Sequence, residues 1–481
     1  MLRDVKTIIS DGLLGFAGAS GDGLSVKIGA SPVTSGTPVV ITGDMVPAKI
    51  RERLGLSPLA DAAMDAVQGG AGRIFCIPVA ATDQGTLSDV VKDGKGEGSL
   101  SVTGSPSNAF QVVVQITAQG GRNTAAFQVS LNGGYSFTDE ITVPVDGAYL
   151  LAGTGLTLQF DEATDTEQQA SSFLVGDQFR FSSTAPAMTN GDVLAAMEQL
   201  KRFHQEFEFI HIVGGSSLPL WQAVSEAQKE LMEVSWKPAF VLLEAALPED
   251  GENSDLHDWA FQMEADRKKI RNTDLQVCAA WGRLVRLDGA VQAVNLAGLV
   301  SGRYARTPVQ ESIGKTRPEL GYGFPENQLQ ELLPAGYDNA IIEILDTAGY
   351  LTFRKYDGLE DFYVYHTKMM SPEKSDYRYA EDVRVRNKII RETRKAALLF
   401  INDDIDLEDI QGELETRAKF IAAPLDRMVE SKEISAYEIS VLEGHEKTFL
   451  EDETMRVKIR YRSRGYIREI EIDLGRASIS A

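Results

Sequence analysis

The chain has 481 residues, 43% of them hydrophobic and 25% charged, globular proportions that exclude wholesale disorder and fit about two to four domains rather than one core. Its 70 acidic residues against 48 basic ones give a formal net charge of −22, which argues against a general nucleic-acid binder, since that function needs a basic footprint. Two cysteines, Cys76 and Cys278, both within apolar strand-like runs, supply neither a disulfide framework nor a zinc site, and no run approaches the ~18 apolar residues of a membrane span.

The opening segment MLRDVKTIISDG has no apolar core of the kind a secretory signal needs and carries acid, so the expectation is a chain made in a cytoplasm that does not enter a bilayer. Within it Leu2, Val5, Ile8 and Ile9 read as a short strand-like arm before a glycine-rich stretch. The segment VVITGDMVPAKIRERLGLSPLADAAMDAVQGGAGRIFCIPV reads as strand, helix, helix, strand, with RIFCIPV the short apolar run of a buried strand. From about Gly94 the texture changes to short alternating strands broken by Gly and Asn turns, with NGG as a hairpin signal. Residues 96–184 therefore read as an all-β sandwich inserted into the surrounding domain.

After TAPAMTNGD the helix and strand patterns alternate again. VLAAMEQLKRFHQE, LPLWQAVSEAQKELMEV and SDLHDWAFQMEADRKKI read as helices; FEFIHIVGG, KPAFVLLEAA and LQVCAAWGRLVRL read as strands. Such alternation implies a mostly parallel sheet covered by helices on both faces. Farther on, AIIEILDTAGYLTFRKYDG and FYVYHTKMM read as strands, YAEDVRVRNKIIRETRKAALLFIND as a long amphipathic helix, and DLEDIQGELETRAKFIAAPLDRMVE as a second helix kinked or split at Pro424. EISAYEISVLEG and TMRVKIRYRSRGYIREIEIDLG read as strands.

The expected architecture is multidomain α/β and α+β. It comprises an N-terminal arm at 1–20, a central mostly parallel domain at 21–95 and 185–345, the inserted sandwich at 96–184, a C-terminal α+β domain at 346–463 and a strand arm at 464–481.

Candidate chemistry is sparse. His204, His211, His257, His366 and His445 are scattered, with no H-E-x-x-H and no Cys/His cluster; His211 sits in a strand pattern and reads as structural. HIVGGSSLPLW offers a strand-to-helix turn through Gly214, Gly215, Ser216 and Ser217 that could present amides to an anion, but it lacks the lysine of a P-loop, the dinucleotide glycine spacing and G-x-S-x-G. The plainer reading is a tight turn with a serine cap. DEATDTE and NDDIDLED are acidic loops without the glycine of an EF-hand, and the second reads as an acidic helix start. Arg384, Lys388, Arg391 and Lys395 form a basic stripe at helical spacing, either a solvated face or a charged contact with acidic surface on another copy. No catalytic, cofactor-binding or metal-binding residue is assigned.

The C-terminal order of elements, RVRNKIIRETRKAALLFIND, an acidic loop, AAPLDRMVESKEISAYEIS, a hairpin and the alternating YIREIEIDLG, resembles the C-terminal domain of contractile tail sheath proteins of phages and related injection systems. LGLSPLADAAMDAVQGGAGRIFCIPV is similar to that family's first αβ unit. VNLAGLVSGRYARTPVQESIGKTRP is similar to its loop after the central sheet, and the inserted segment to an insertion in one branch. The resemblance implies a structural protein without an active site or cofactor. It implies hexameric rings of identical copies stacked helically around a tail tube protein, with baseplate and tail terminator as further partners and no direct contact with nucleic acid or membrane. It implies a place in a virion tail or injection particle assembled from chains made in a bacterial cytoplasm.

The resemblance also implies that both terminal arms pair with a neighbour's sheet, strand added to strand. The arm residues would be Val5, Ile8 and Ile9 at one end and Glu469, Ile470, Glu471, Ile472, Asp473 and Leu474 at the other, the acidic face meeting Arg456, Lys458 and Arg460 of another copy's preceding strand. An ordinary intramolecular hairpin across SRGY is the alternative for that strand. For the whole chain, an α/β enzyme using the VGGSS turn and a glycan-binding protein using the sandwich stay open as other classes.

Overall fold

The computed structural model describes residues 21–165, 168–248, 256–441 and 445–476. These divide into two compact units at Lys388/Ile389. That division falls later than the expected boundary at 345/346, because Tyr350, Leu351, Phe353, Val364 and Met369 are buried against strands of the central sheet. Val5, Ile8 and Ile9 lie outside the described residues.

The first unit is built on a six-stranded sheet ordered Leu275–Cys278, Phe240–Ala245, Phe209–Ser216, Ser25–Ala30, Arg73–Val79, Val39–Thr42. Neighbours are parallel except at the last edge, where Val39–Thr42 runs antiparallel. Strands such as SVKIGA and FVLLEA are buried along their whole length, as expected where helices cover both faces. Alternation assigns the faces. Val26, Ile28, Phe75, Ile77, Ile210, Ile212, Val241 and Leu243 meet helices Asn190–Leu200 and Leu218–Glu233. Cys76, Phe209, Phe240 and Leu242 face the opposite layer, helices Pro58–Gly69 and Ala297–Arg306.

Those last two helices cross at glycine. A Cβ on Gly302 would lie 2.0 Å from the Ala66 carbonyl oxygen and 2.7 Å from Gly69 Cα, so the backbones approach only because both positions lack a side chain. The second of these helices corrects the expectation of a loop over VNLAGLVSGRYARTPVQ: the segment forms strand Val291–Asn295 and then this buried helix. A further correction concerns AIIEILDTA, read as a strand. It is helix Asn339–Ala348, capped by the Asp338 carboxylate accepting from the amides of Ala340 and Ile341 and closed by left-handed Gly349.

Residues 91–182 form two antiparallel sheets, ordered Ser99–Gly104, Leu156–Asp161, Ala148–Leu151 and Val91–Asp93, Gln178–Ser182, Gln111–Ala118, Ala126–Ser130, Ile141–Thr142. Leu100, Leu158 and Phe160 from one sheet share a core with Val114, Phe127 and Phe179 from the other. The chain enters and leaves this region along one line, with bridges Asp83–Ala187 and Leu87–Ser183 and a hydrogen bond from the Thr86 amide to Thr184 Oγ1 of 2.8 Å.

In the second unit, helix Ile410–Glu430 is continuous through Pro424, neither split nor ended there, with Asp409 capping its start at Gly412. Ile410, Leu414, Ala418, Ile421, Leu425 and Met428 are its buried stripe. Strands Ala436–Val441 and Val457–Arg462 form a two-stranded antiparallel sheet with helix His445–Asp452 between them. No described helix is long and apolar enough to cross a membrane.

Candidate functional site

Three adjacent strands of the central sheet each place a titratable side chain on the face toward Ala297–Arg306. Lys27 stands directly opposite His211 in the parallel register, and Glu244 lies one strand beyond. The Lys27 ammonium donates to His211 Nδ1 at 2.6 Å and to Ser301 Oγ at 2.7 Å. His211 Nε2 donates to Glu244 Oε1 at 2.9 Å, and Glu244 Oε2 accepts from the Gly214 amide at 2.9 Å. This is the hydrogen-bond order of a neutral imidazole between a cation and a carboxylate.

Lys27 and His211 are fully buried and Glu244 is 7% exposed. Burial pushes the Glu244 carboxyl up to about 7 and the Lys27 ammonium down to about 8. Burial, with Lys27 beside it, holds His211 well below the usual imidazole range. Desolvation also pushes the Cys76 thiol, opposite Lys27 on the other side, up to about 12, so it is not a poised thiolate. A second buried pair lies close by: Arg286 clasps Asp65 through Nε at 3.0 Å and Nη2 at 3.1 Å, and burial lifts Asp65 to about 6.

The arrangement has the parts of a proton relay, yet both Glu244 oxygens and both His211 nitrogens are occupied by the fold itself. Its physical role is to tie three strands to one helix at fixed register. The three residues are scattered in sequence, so no local motif announces them.

The strand-to-helix turn singled out from the sequence is structural in the same way. Ser216 Oγ bonds the Glu244 carbonyl and accepts from Trp221 Nε1 at 2.8 Å. Ser217 occupies the cap position without a side-chain cap bond, so the expected serine cap is replaced by a buried serine bridge.

The basic stripe divides. Arg384 is buried with 0% of its side chain exposed, salt-bridged to Glu208 and donating to the carbonyls of Tyr304 and Thr307 at 2.9 Å each. It is therefore closed to another copy, which corrects the sequence expectation for this residue. Lys388 pairs with Asp22 at 2.6 Å, Arg391 is 5% exposed, and Lys395 pairs with Glu392 at 3.1 Å. Helical spacing defined their common face but not what covers it.

The C-terminal segment is the opposite case. Arg456, Lys458 and Arg460 lie in or beside Val457–Arg462; Arg460 stands opposite Glu438, Lys458 opposite Ser440, and Arg456 pairs with Asp452. Among the described residues, 463–476 join no sheet, so the hairpin across SRGY is not formed. Ile467, Ile470, Ile472 and Leu474 are 83%, 75%, 81% and 92% exposed. Glu469, Glu471 and Asp473 lie between them in the same exposed run.

Family models match nearly the whole chain: DUF2586, N-terminal domain, over residues 2–366, and DUF2586, C-terminal domain, over residues 376–479. The chain belongs to the DUF2586 family. No curated protein matches its sequence. Among solved structures, this DUF2586 chain is similar to the PVC sheath complex of an extracellular contractile injection system in the contracted state, at 10% identity and TM-score 0.54, covering 99% of this chain and 98% of that one. It is also similar to a chain of the anti-feeding prophage baseplate in the contracted state, at 11% identity and TM-score 0.55, covering 98% and 97%. A sheath tail protein from Desulfitobacterium hafniense matches at 15% identity and TM-score 0.49 over 92% of this chain and 93% of that one. The DUF2586 chain thus has a mixed α/β, several-sheet fold similar to that of the PVC sheath chain.

Proposed function

We propose that this chain is a structural subunit of a contractile sheath. It polymerises as hexameric rings stacked helically around a rigid inner tube, and shortens to drive the tube through a cell envelope. The observation that carries this reading is the exposed C-terminal run, four large aliphatic side chains between 467 and 474 on a segment joined to no sheet, in a chain with the sheath fold. Within it Ile470, Ile472 and Leu474, alternating with Glu469, Glu471 and Asp473, have the period of a strand whose apolar face awaits a partner.

The receiving site is the two-stranded sheet Ala436–Val441 and Val457–Arg462 of another copy, where Lys458 and Arg460 offer charge to Glu469, Glu471 and Asp473. Burying Ile470, Ile472 and Leu474 there contributes ~1.5–3 kcal/mol each before the cost of ordering the arm. Val5, Ile8 and Ile9 play the complementary part at the other end. Lys395 remains a candidate for charged contact between copies. Tail tube, baseplate and terminator proteins are the further partners, in a tail or injection particle assembled in a bacterial cytoplasm, and the chain has no catalytic role. Residues 96–184 act as an inserted β-sandwich on the outer surface.

Electron microscopy of the purified full-length chain tests this reading. Tubes or ring stacks are expected. A strictly monomeric chain at all concentrations and with added tube protein overturns it.

A further inference from the structure

In a chain of net charge −22, one open cleft of about 660 Å³ in the first unit carries the opposite sign. It is lined by Arg267, Lys268, Arg271, Lys368, Lys374 and Arg378, with Glu264 and Glu373 the acidic residues beside them. Lys268 pairs with Glu264 at 2.8 Å and keeps 71% of its side chain exposed; Lys368 is held by Asp346 at 2.8 Å. Arg271, Lys374 and Arg378 are exposed. Arg267 is half-buried in the lining, donating to the Ile270 carbonyl at 2.6 Å, and its Nε is buried with no hydrogen-bond partner among the described residues. A second depression of about 410 Å³ shares Lys268, Ile270 and Arg271 with the first and extends the basic surface to Lys229 and Lys269. The two depressions share Lys268, Ile270 and Arg271, so their cations form one continuous basic surface, which suits an extended acidic segment better than a compact phosphate.

The chain carries the complementary surface in its second unit. Between helices Ala380–Leu398 and Ile410–Glu430, the residues Asp403, Asp404, Asp406 and Glu408 are exposed. Beside them Leu398, Leu399, Ile401 and Leu407 are 50%, 81%, 67% and 65% exposed. Acid alone would be content in water; acid interleaved with exposed aliphatics marks a surface with an apolar contact to make. Pro372 and Ala348 supply apolar lining in the cleft.

We propose that the basic cleft formed by Lys268, Arg271, Lys374 and Arg378 docks the acidic turn 398–409 of a second copy of this chain. The contact rests on the self-assembling reading above and is distinct from the terminal arm. It is heterologous, one surface of each copy meeting a different surface of the next, so it propagates along a stack.

The test uses full-length chains. A photo-cross-linker replaces Leu407, the chain is mixed with an isotopically labelled copy, and cross-linked peptides are mapped by mass spectrometry at concentrations below tube formation. The expected product joins position 407 of one copy to residues 264–271 or 368–378 of the other. Lys268→Glu with Arg271→Glu in the receiving copy lowers its yield about tenfold at low salt, as does Asp404→Lys with Glu408→Lys in the donor, and combining the two restores it. Cross-links confined to one copy, cross-links elsewhere, or a yield indifferent to charge reversal overturn the proposal. So does saturable binding of tripolyphosphate that is lost in the Lys268→Glu, Arg271→Glu variant while the cross-link pattern stays unchanged, which reassigns the cleft to small anions. Tubes without this cross-link sink this contact alone; the cross-link without tubes sinks the sheath reading and leaves the contact standing.

Discussion

In the central sheet, Lys27, His211 and Glu244 are titratable, buried, and bonded to one another and to Ser301 and Gly214. In the C-terminal segment, Ile470, Ile472 and Leu474 are apolar and 75%, 81% and 92% exposed. Each is the reverse of what the side chain prefers in water, but only the first is compensated inside the chain. Groups drawn from positions 27, 211, 244 and 301 satisfy one another once the sheet is assembled, whereas the arm's apolar side chains stay largely exposed among the described residues. The difference separates what the fold completes alone from what it leaves for an outside surface, and it gives the arm a meaning that its sequence pattern by itself does not.

Removing the arm is the most drastic way to break the comparison. Deleting residues 466–481 is expected to abolish tubes in electron micrographs while thermal unfolding of the first unit stays unchanged. Unfolding of the truncated chain would place the segment in its own subunit's core, and tubes formed without it would remove it from the assembly.

Next in size is Lys27→Met, which leaves His211 Nδ1 without its donor and removes the buried cation that faces Glu244 across the imidazole, and is expected to cost ~3–5 kcal/mol in urea unfolding. Adding Glu244→Gln should recover a large part of that loss, because the two residues act through one network.

The same centre gives a pH signature. Glu244 is raised to about 7 from 4.5, so the folded chain holds a proton that the unfolded chain releases, and stability falls as pH rises from 4.5 to 7. Lys27 is lowered to about 8 from 10.5, so its contribution is complete above 10.5 and lost as pH falls through 8. These groups together place a stability minimum near neutrality. The Glu244 limb amounts to at most ~3 kcal/mol, and Glu244→Gln should flatten it in denaturant titrations across that range.

A smaller effect is expected from Gly302→Ala, ~1–3 kcal/mol, since its Cβ would meet the Ala66 carbonyl. The smallest comes from the turn. Ser216→Ala should cost ~1 kcal/mol through the lost Trp221 bond, and Ser217→Ala close to nothing because its side chain makes no cap bond.

Much of the sheet was legible because fully buried parallel strands such as RIFCIPV and FVLLEA are continuous apolar runs with few alternatives. Short apolar runs are ambiguous, and AIIEIL has the apolar content of a strand although Asp338 before it and Gly349 after it are helix signals. LQVCAAWGRLVRL reads as one strand, yet it is two, Leu275–Cys278 and Trp281–Val285, in different sheets. The Arg384 stripe was visible as a helical face, but its partners Glu208 and Asp22 are remote in sequence, and periodicity carries no information about what a face packs on. The Lys27, His211 and Glu244 centre was illegible for the same reason: it exists only through strand register.

The side-by-side entry and exit of residues 91–182 bear on how such a chain is remodelled. Thr86 and Thr184 are hydrogen-bonded across the neck, so to the host domain the whole two-sheet region is equivalent to one short turn. Loop closure then depends only weakly on what hangs beyond the neck, with each doubling of its length costing ~0.6 kcal/mol. Among the described residues the region is tied to the host body by Ser107 to the Leu56 carbonyl, Asn108 to Asp61 and the packing of Leu56 on its core, and Asp61 keeps Arg286 without them. The neck is a socket: a foreign domain whose own ends lie close together can be seated there, or a glycine-serine bridge can close it, with the parallel sheet beneath registering little change.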